Sequence, residues 1–108
     1  MISKARRKVA ANLLDKAAKF LSQPNRWCQT FWARDKDGRR IDWDSEDAVK
    51  FCMVGAIRRC AKMPLTADLA ESYLPPFHVR FNDEPGRKVK EVIKVLTDTA
   101  SKVRKTIE

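Results

Sequence analysis

The stretch AVKFCMVGAIRRCAKM, residues 48–63, decides how this chain is read. From Ala48 to Ile57 its only charged residue is Lys50, so a helix here is apolar on every face, and such a helix is buried. Asp42, Asp44, Ser45, Glu46 and Asp47 precede it and suit the positive end of a helix dipole; Arg58, Arg59 and Lys62 follow at the end that favours cations. Gly55 in the middle costs about 1 kcal/mol relative to alanine. Close approach of another backbone is the compensation expected for it. The reading is a buried central helix over about 46–62.

Working outward, Val9, Leu13, Ala17, Phe20 and Leu21 recur with Ile2 at helical spacing from Ser3 to about Gln23, opposite Lys4, Lys8, Asp15 and Lys19. Ser3 is the expected N-cap and Pro24 the stop. C-terminal to the central helix, TADLAESYL (66–74) reads as a short helix capped by Thr66 and ended by Pro75-Pro76. Val89, Val92, Ile93, Leu96, Ala100, Val103 and Ile107 then form a regular helical stripe from about Pro85 onward, with Asn82 or Asp83 as its N-cap. Between the first and central helices, WCQTFWA (27–33) and RRIDW (39–43) flank Asp35-Lys36-Asp37-Gly38. An Asp-Gly pair between two such runs signals a hairpin, so a small β-hairpin or irregular insertion is expected at about 27–43. Strand alternation there places Trp27 and Phe31 on one face and Trp32 on the other. The expected fold is mainly α, a compact bundle of four or five helices around the buried central one, forming a single domain over 1–108.

The chain has 108 residues, 44% of them apolar, and 23 Lys+Arg against 14 Asp+Glu give a net charge of +9. A transmembrane, collagenous or disordered protein is excluded by that balance and by the absence of an 18-residue apolar run. The basic start MISKARRKVAANLLDKAAKF lacks the uninterrupted apolar region of a signal peptide. Three cysteines without a close pair argue against a disulfide scaffold and for a reducing cytoplasm.

Residues 26–60 and 81–100 resemble a family of small uncharacterised proteins found in bacteria and their phages, a domain of unknown function. The resemblance is carried by Trp27 and Gln29; by Ala33, Arg34, Asp35 and Gly38; by Phe51, Cys52, Gly55 and Ala56; and by Phe81, Asn82 and Asp83. Thr30 departs from it, standing where a glycine often follows the glutamine. The resemblance brings no reaction or ligand. It implies structural roles for Gln29, Asp35, Gly38, Cys52, Gly55, Asn82 and Asp83, and its phage association favours a protein that acts by binding, including an inhibitor or anti-defence protein docked on a host protein.

Charge carries the functional expectation. Residues 1–23 hold +5 and residues 87–108 hold +4, so two basic helices packed side by side present one cationic surface. Trp27, Phe31, Trp32 and Trp43 interleave with Arg26, Arg34, Arg39 and Arg40; rings that stack bases beside guanidinium groups that hold phosphates suit single-stranded nucleic acid or a nucleotide. The same residue types also anchor a hairpin on a bundle and populate protein-binding hot spots. Lys4, Lys8, Arg58, Arg59 and Lys62 would support such an acidic partner. The order Cys52, His78, Asn82 imitates a Cys-His-Asn arrangement, but a cysteine about two turns inside an apolar helix has a raised rather than lowered pKa. Cys28, Cys52, Cys60 and His78 match the ligand count of a zinc site without the close pairs such sites use. The expectation is therefore a small basic binding protein without metal or cofactor, a Cys-dependent enzyme being the distant alternative.

Overall fold

Ser3 accepts a hydrogen bond from the Arg6 amide at 3.1 Å and so begins α1 (Lys4–Leu21). The structure, a computed structural model, describes residues 1–108. After α1 come β1 (Ala33–Arg34), β2 (Lys50–Phe51), α2 (Met53–Cys60), α3 (Pro64–Ser72), α4 (His78–Asp83) and α5 (Val89–Lys105). α1 is the hub, because α5 packs along its length while α2 and α3 contact its remaining inner surface. Its small residues Ala10, Ala11, Ala17 and Ala18 allow that close packing, and Leu13, Leu14 and Leu21 fill the core between them. The inner face is thus rotated from the expected one. Val9 is 52% exposed, and Phe20 is only partly covered, packing edge-on to Phe51.

The buried central helix is present but shorter than 46–62, and the N-terminal part of the apolar run is extended. Phe51 explains the difference. Its amide donates to the Arg26 carbonyl at 2.7 Å and its carbonyl accepts from the Cys28 amide at 3.0 Å, while Val49 N–H donates to Arg34 O at 2.9 Å. A short continuous apolar run serves equally as a buried strand or a buried helix, and here long-range backbone partners choose the strand. The acids before it cap no helix; Ser45 Oγ instead accepts from the Asp47 amide in a local turn.

β1 and β2 are antiparallel, with Ala33 opposite Phe51 and Arg34 opposite Lys50. The expected Asp-Gly turn forms, with Gly38 N–H donating to Asp35 O, Gly38 at φ +80°, and an Arg34–Arg40 bridge closing it. Its return run, 39–43, contributes that single bridge, and the ladder partner of β1 comes from residues 50–51. Two helix starts also differ from expectation. α3 begins at Pro64 with Met63 as N-cap, not Thr66, because proline is preformed for the first helical position. Asn82 and Asp83 end α4 rather than capping α5, whose first turn is held by Glu91 Oε1 accepting from the Lys88 amide at 2.8 Å. No helix is long and apolar enough to cross a membrane.

Candidate nucleic-acid interface

Asn82 is 1% exposed and every arm of its amide is used. Its Oδ1 accepts from Trp27 Nε1 at 2.8 Å and from the Met53 amide at 3.1 Å; its Nδ2 donates to Cys28 O at 3.3 Å and to Asp83 Oδ1 at 2.9 Å. Gln29 Nε2 donates to the carbonyls of Asn82 and Glu84 at 3.0 and 2.9 Å. The Thr30 amide donates to Asp83 Oδ1 at 2.8 Å, and this contact steadies Thr30 at φ +79°, a left-handed conformation that favours glycine. The Trp-x-Gln and Asn-Asp positions therefore form one clamp that fastens the segment after Asn25 to α4 and to the start of α2. Their separation, more than 50 residues, hides this pairing from local pattern reading.

Gly55 seats the other end of the segment. A Cβ there would overlap the carbonyl oxygen of Trp32 and lie 2.9 Å from its carbonyl carbon, and the same carbonyl accepts from the Cys52 amide at 3.2 Å. The close backbone approach expected for Gly55 is thus present, and its partner is Trp32. With its backbone fixed on α2, Trp32 leaves its side chain 46% exposed.

Two open clefts flank this anchored segment. Phe31, Trp32 and Trp43 line one of about 390 Å³ together with Arg40 and Asp42. Trp27 and Gln29 line the other, of about 420 Å³, with Arg34, Lys36 and Lys50; no carboxylate lines it. The Phe31 ring, in the first cleft, has two guanidinium groups close to it, Arg34 at 4.6 Å and Arg40 at 5.4 Å from its centroid. Phe31 and Trp32 share a cleft, contrary to strict alternation, because residues 27–32 are not a regular strand and the chain turns at Thr30.

The remaining basic candidates divide by what they touch. Arg34 also donates to Gly38 O and Gln29 O at 2.7 and 3.1 Å, which fixes its guanidinium beside the turn. Arg59 spans the interior, donating to the carbonyls of Trp43 and Ser45 at 2.8 and 2.7 Å. Arg58 pairs with Asp68 and Glu71 and lies over the Trp32 ring at 5.0 Å. Arg26 donates to Gln23 and covers Phe20, while Arg39 and Lys62 are exposed. Lys4 and Lys8 are exposed on α1, away from the clefts at residues 27–50. Asp35 is a turn residue, its Oδ1 accepting from the Asp37 and Arg39 amides at 2.9 Å.

Cys52 is the N-cap of α2 rather than a residue two turns inside a helix, with Sγ accepting from the Gly55 amide at 3.4 Å. A helix N-terminus favours a thiolate, yet burial outweighs it here and pushes the thiol up to about 11. His78 faces elsewhere, with its ring nitrogens 3.3 Å from Pro75 O and 3.1 Å from Glu71 Oε2. Because the folded-state pKa lies above the ordinary value of 9.0, the folded form is favoured fully below pH 9 and loses that advantage as pH rises to about 11. The expected loss is about 3 kcal/mol over that interval. Urea melts of the wild type and Cys52→Ser across it check this, since the serine variant should show a shallower alkaline decline. Iodoacetamide should label Cys60, which is half-buried, well before Cys52.

No curated protein matches this chain, and no solved structure matches it. A family model does, over residues 5–102, and that span takes in the clamp, both clefts and nearly all of the helical core. The chain belongs to this family, described as a family of unknown function, DUF6197.

Proposed function

We propose that this protein is a non-catalytic binding protein of the cytoplasm that holds single-stranded nucleic acid, or a nucleotide, across residues 27–50. The observation that carries this reading is the Phe31 ring with the Arg34 and Arg40 guanidinium groups over it, beside two open clefts, one rich in aromatic rings and one cationic. Bases have a π-face that stacks on Trp32 and Trp43, and phosphates are drawn to Arg34, Lys36 and Lys50, none of which is ion-paired. The rigid seating of Trp32 on Gly55 supports the reading further, because a preformed platform loses little freedom on binding. Stacking on a ring does not depend on which base is stacked, so the binding proposed is tolerant of sequence.

Fluorescence polarisation with labelled oligo-dT tests it, alongside quenching of tryptophan emission. Trp32→Ala should weaken binding about 10- to 100-fold, the range for losing one stacked base. The double substitution Lys36→Ala, Lys50→Ala should lower the slope of log K against log salt by about 1.4, two single-strand phosphate contacts' worth. Binding that ignores salt, or survives Trp32→Ala unchanged, overturns the proposal.

A further inference from the structure

A second surface lies between α1 and α3. Ala5 and Val9 on α1 and Met63, Leu65 and Leu69 beside them line a groove of about 550 Å³. Val9, Met63 and Leu65 are 52, 59 and 69% exposed, so apolar side chains on two elements face solvent together. Ala5 and Val9 are one helical turn apart, as are Leu65 and Leu69, and each pair forms one wall. A concave channel with helical walls accepts the ridge of another helix, whose apolar residues recur at i, i+3, i+4 and i+7.

The charges around the groove select the occupant. Arg6 lines it, and Lys62 adjoins Met63 and lines a neighbouring cavity with it. Neither is ion-paired, and no carboxylate lines the groove. Asp68, the acid next to Leu69 in α3, is engaged with Arg58. A second copy, also carrying +9, would set these cations against like charge. From this apolar channel with its cationic rim we infer that the α1–α3 groove docks an acidic amphipathic helix of a partner protein. This site is independent of the nucleic-acid reading, with which it shares no lining residue.

The test titrates the intact protein, followed by amide NMR, with a synthetic amphipathic peptide bearing leucine at the four anchor positions and glutamate elsewhere. Its charge-reversed form, with lysine for glutamate, is titrated in parallel. The expected result is saturable shifts at Val9, Leu65 and Leu69 with the glutamate peptide alone, weakened about tenfold or more by Leu65→Asp and by Arg6→Glu with Lys62→Glu. Leu65 is exposed, so the first variant folds, and the second keeps the apolar walls intact. Equal binding of the lysine peptide overturns the inference, as do shifts confined to residues 27–50. Self-association abolished by Leu65→Asp, or binding only to vesicles of anionic phosphatidylglycerol, assigns the groove to another occupant and overturns it too.

Discussion

Gly55→Ala is expected to destabilise the fold by about 3 kcal/mol or more and to lower its melting temperature by at least about 12 °C. Helix propensity alone gives the opposite sign, since alanine is favoured over glycine by about 1 kcal/mol inside a helix. Contact decides the matter. The added methyl would overlap the Trp32 carbonyl, which is held there by the Cys52 amide, so relief requires moving backbone rather than turning a side chain. Trp32 should become more solvated as its seat shifts, and its emission should move to longer wavelength. Thermal melts of the two proteins decide it: a variant as stable as the wild type would mean that the segment does not rest on α2.

Asn82→Ala is expected to cost about 4 kcal/mol. It strips the acceptor from Trp27 Nε1 and from the Met53 amide, and removes the donor to Cys28 O, around a side chain that is itself buried. Each unsatisfied buried group costs about 1–3 kcal/mol, and partial collapse of the site keeps the total below their sum. Asn82→Asp should fall between, because it retains an acceptor but loses the donor and places a second carboxylate beside Asp83. Amide exchange supplies the local readout. Met53 should lose protection in Asn82→Ala beyond what the global loss accounts for, whereas a uniform loss would show that Asn82 does not hold the start of α2.

The two long helices were legible because their information is local. Ser3 and the apolar period bounded α1, and the stripe from Val89 onward defined α5. Gly55 was legible for a related reason: an isolated glycine in an apolar run needs a neighbour, though nothing local names Trp32 as that neighbour. The segment 46–52 was not legible, because whether an apolar run coils or extends depended on the backbone of Arg26, Cys28 and Arg34. Asn82 and Asp83 misled for the same reason. Beside a helix such residues most often cap it, and only the folded chain brings Trp27, Gln29 and Thr30 to them. The basic and aromatic candidates were recognisable as residue types, but their sorting into carbonyl-bound Arg59, ring-stacking Arg34 and Arg40, and exposed Arg39 needed the structure.

The fastening of the segment after Asn25 to Asn82 and Asp83 also bears on how the molecule is made. A polypeptide emerging from the ribosome shows its N-terminal tryptophans long before the two acidic-amide latches have been translated. Until then the segment after Asn25 has its seat on Gly55 and its backbone bonds to Phe51, but not the contacts from Trp27, Gln29 and Thr30 to Asn82 and Asp83. Its full fastening waits on residues made more than 50 positions later.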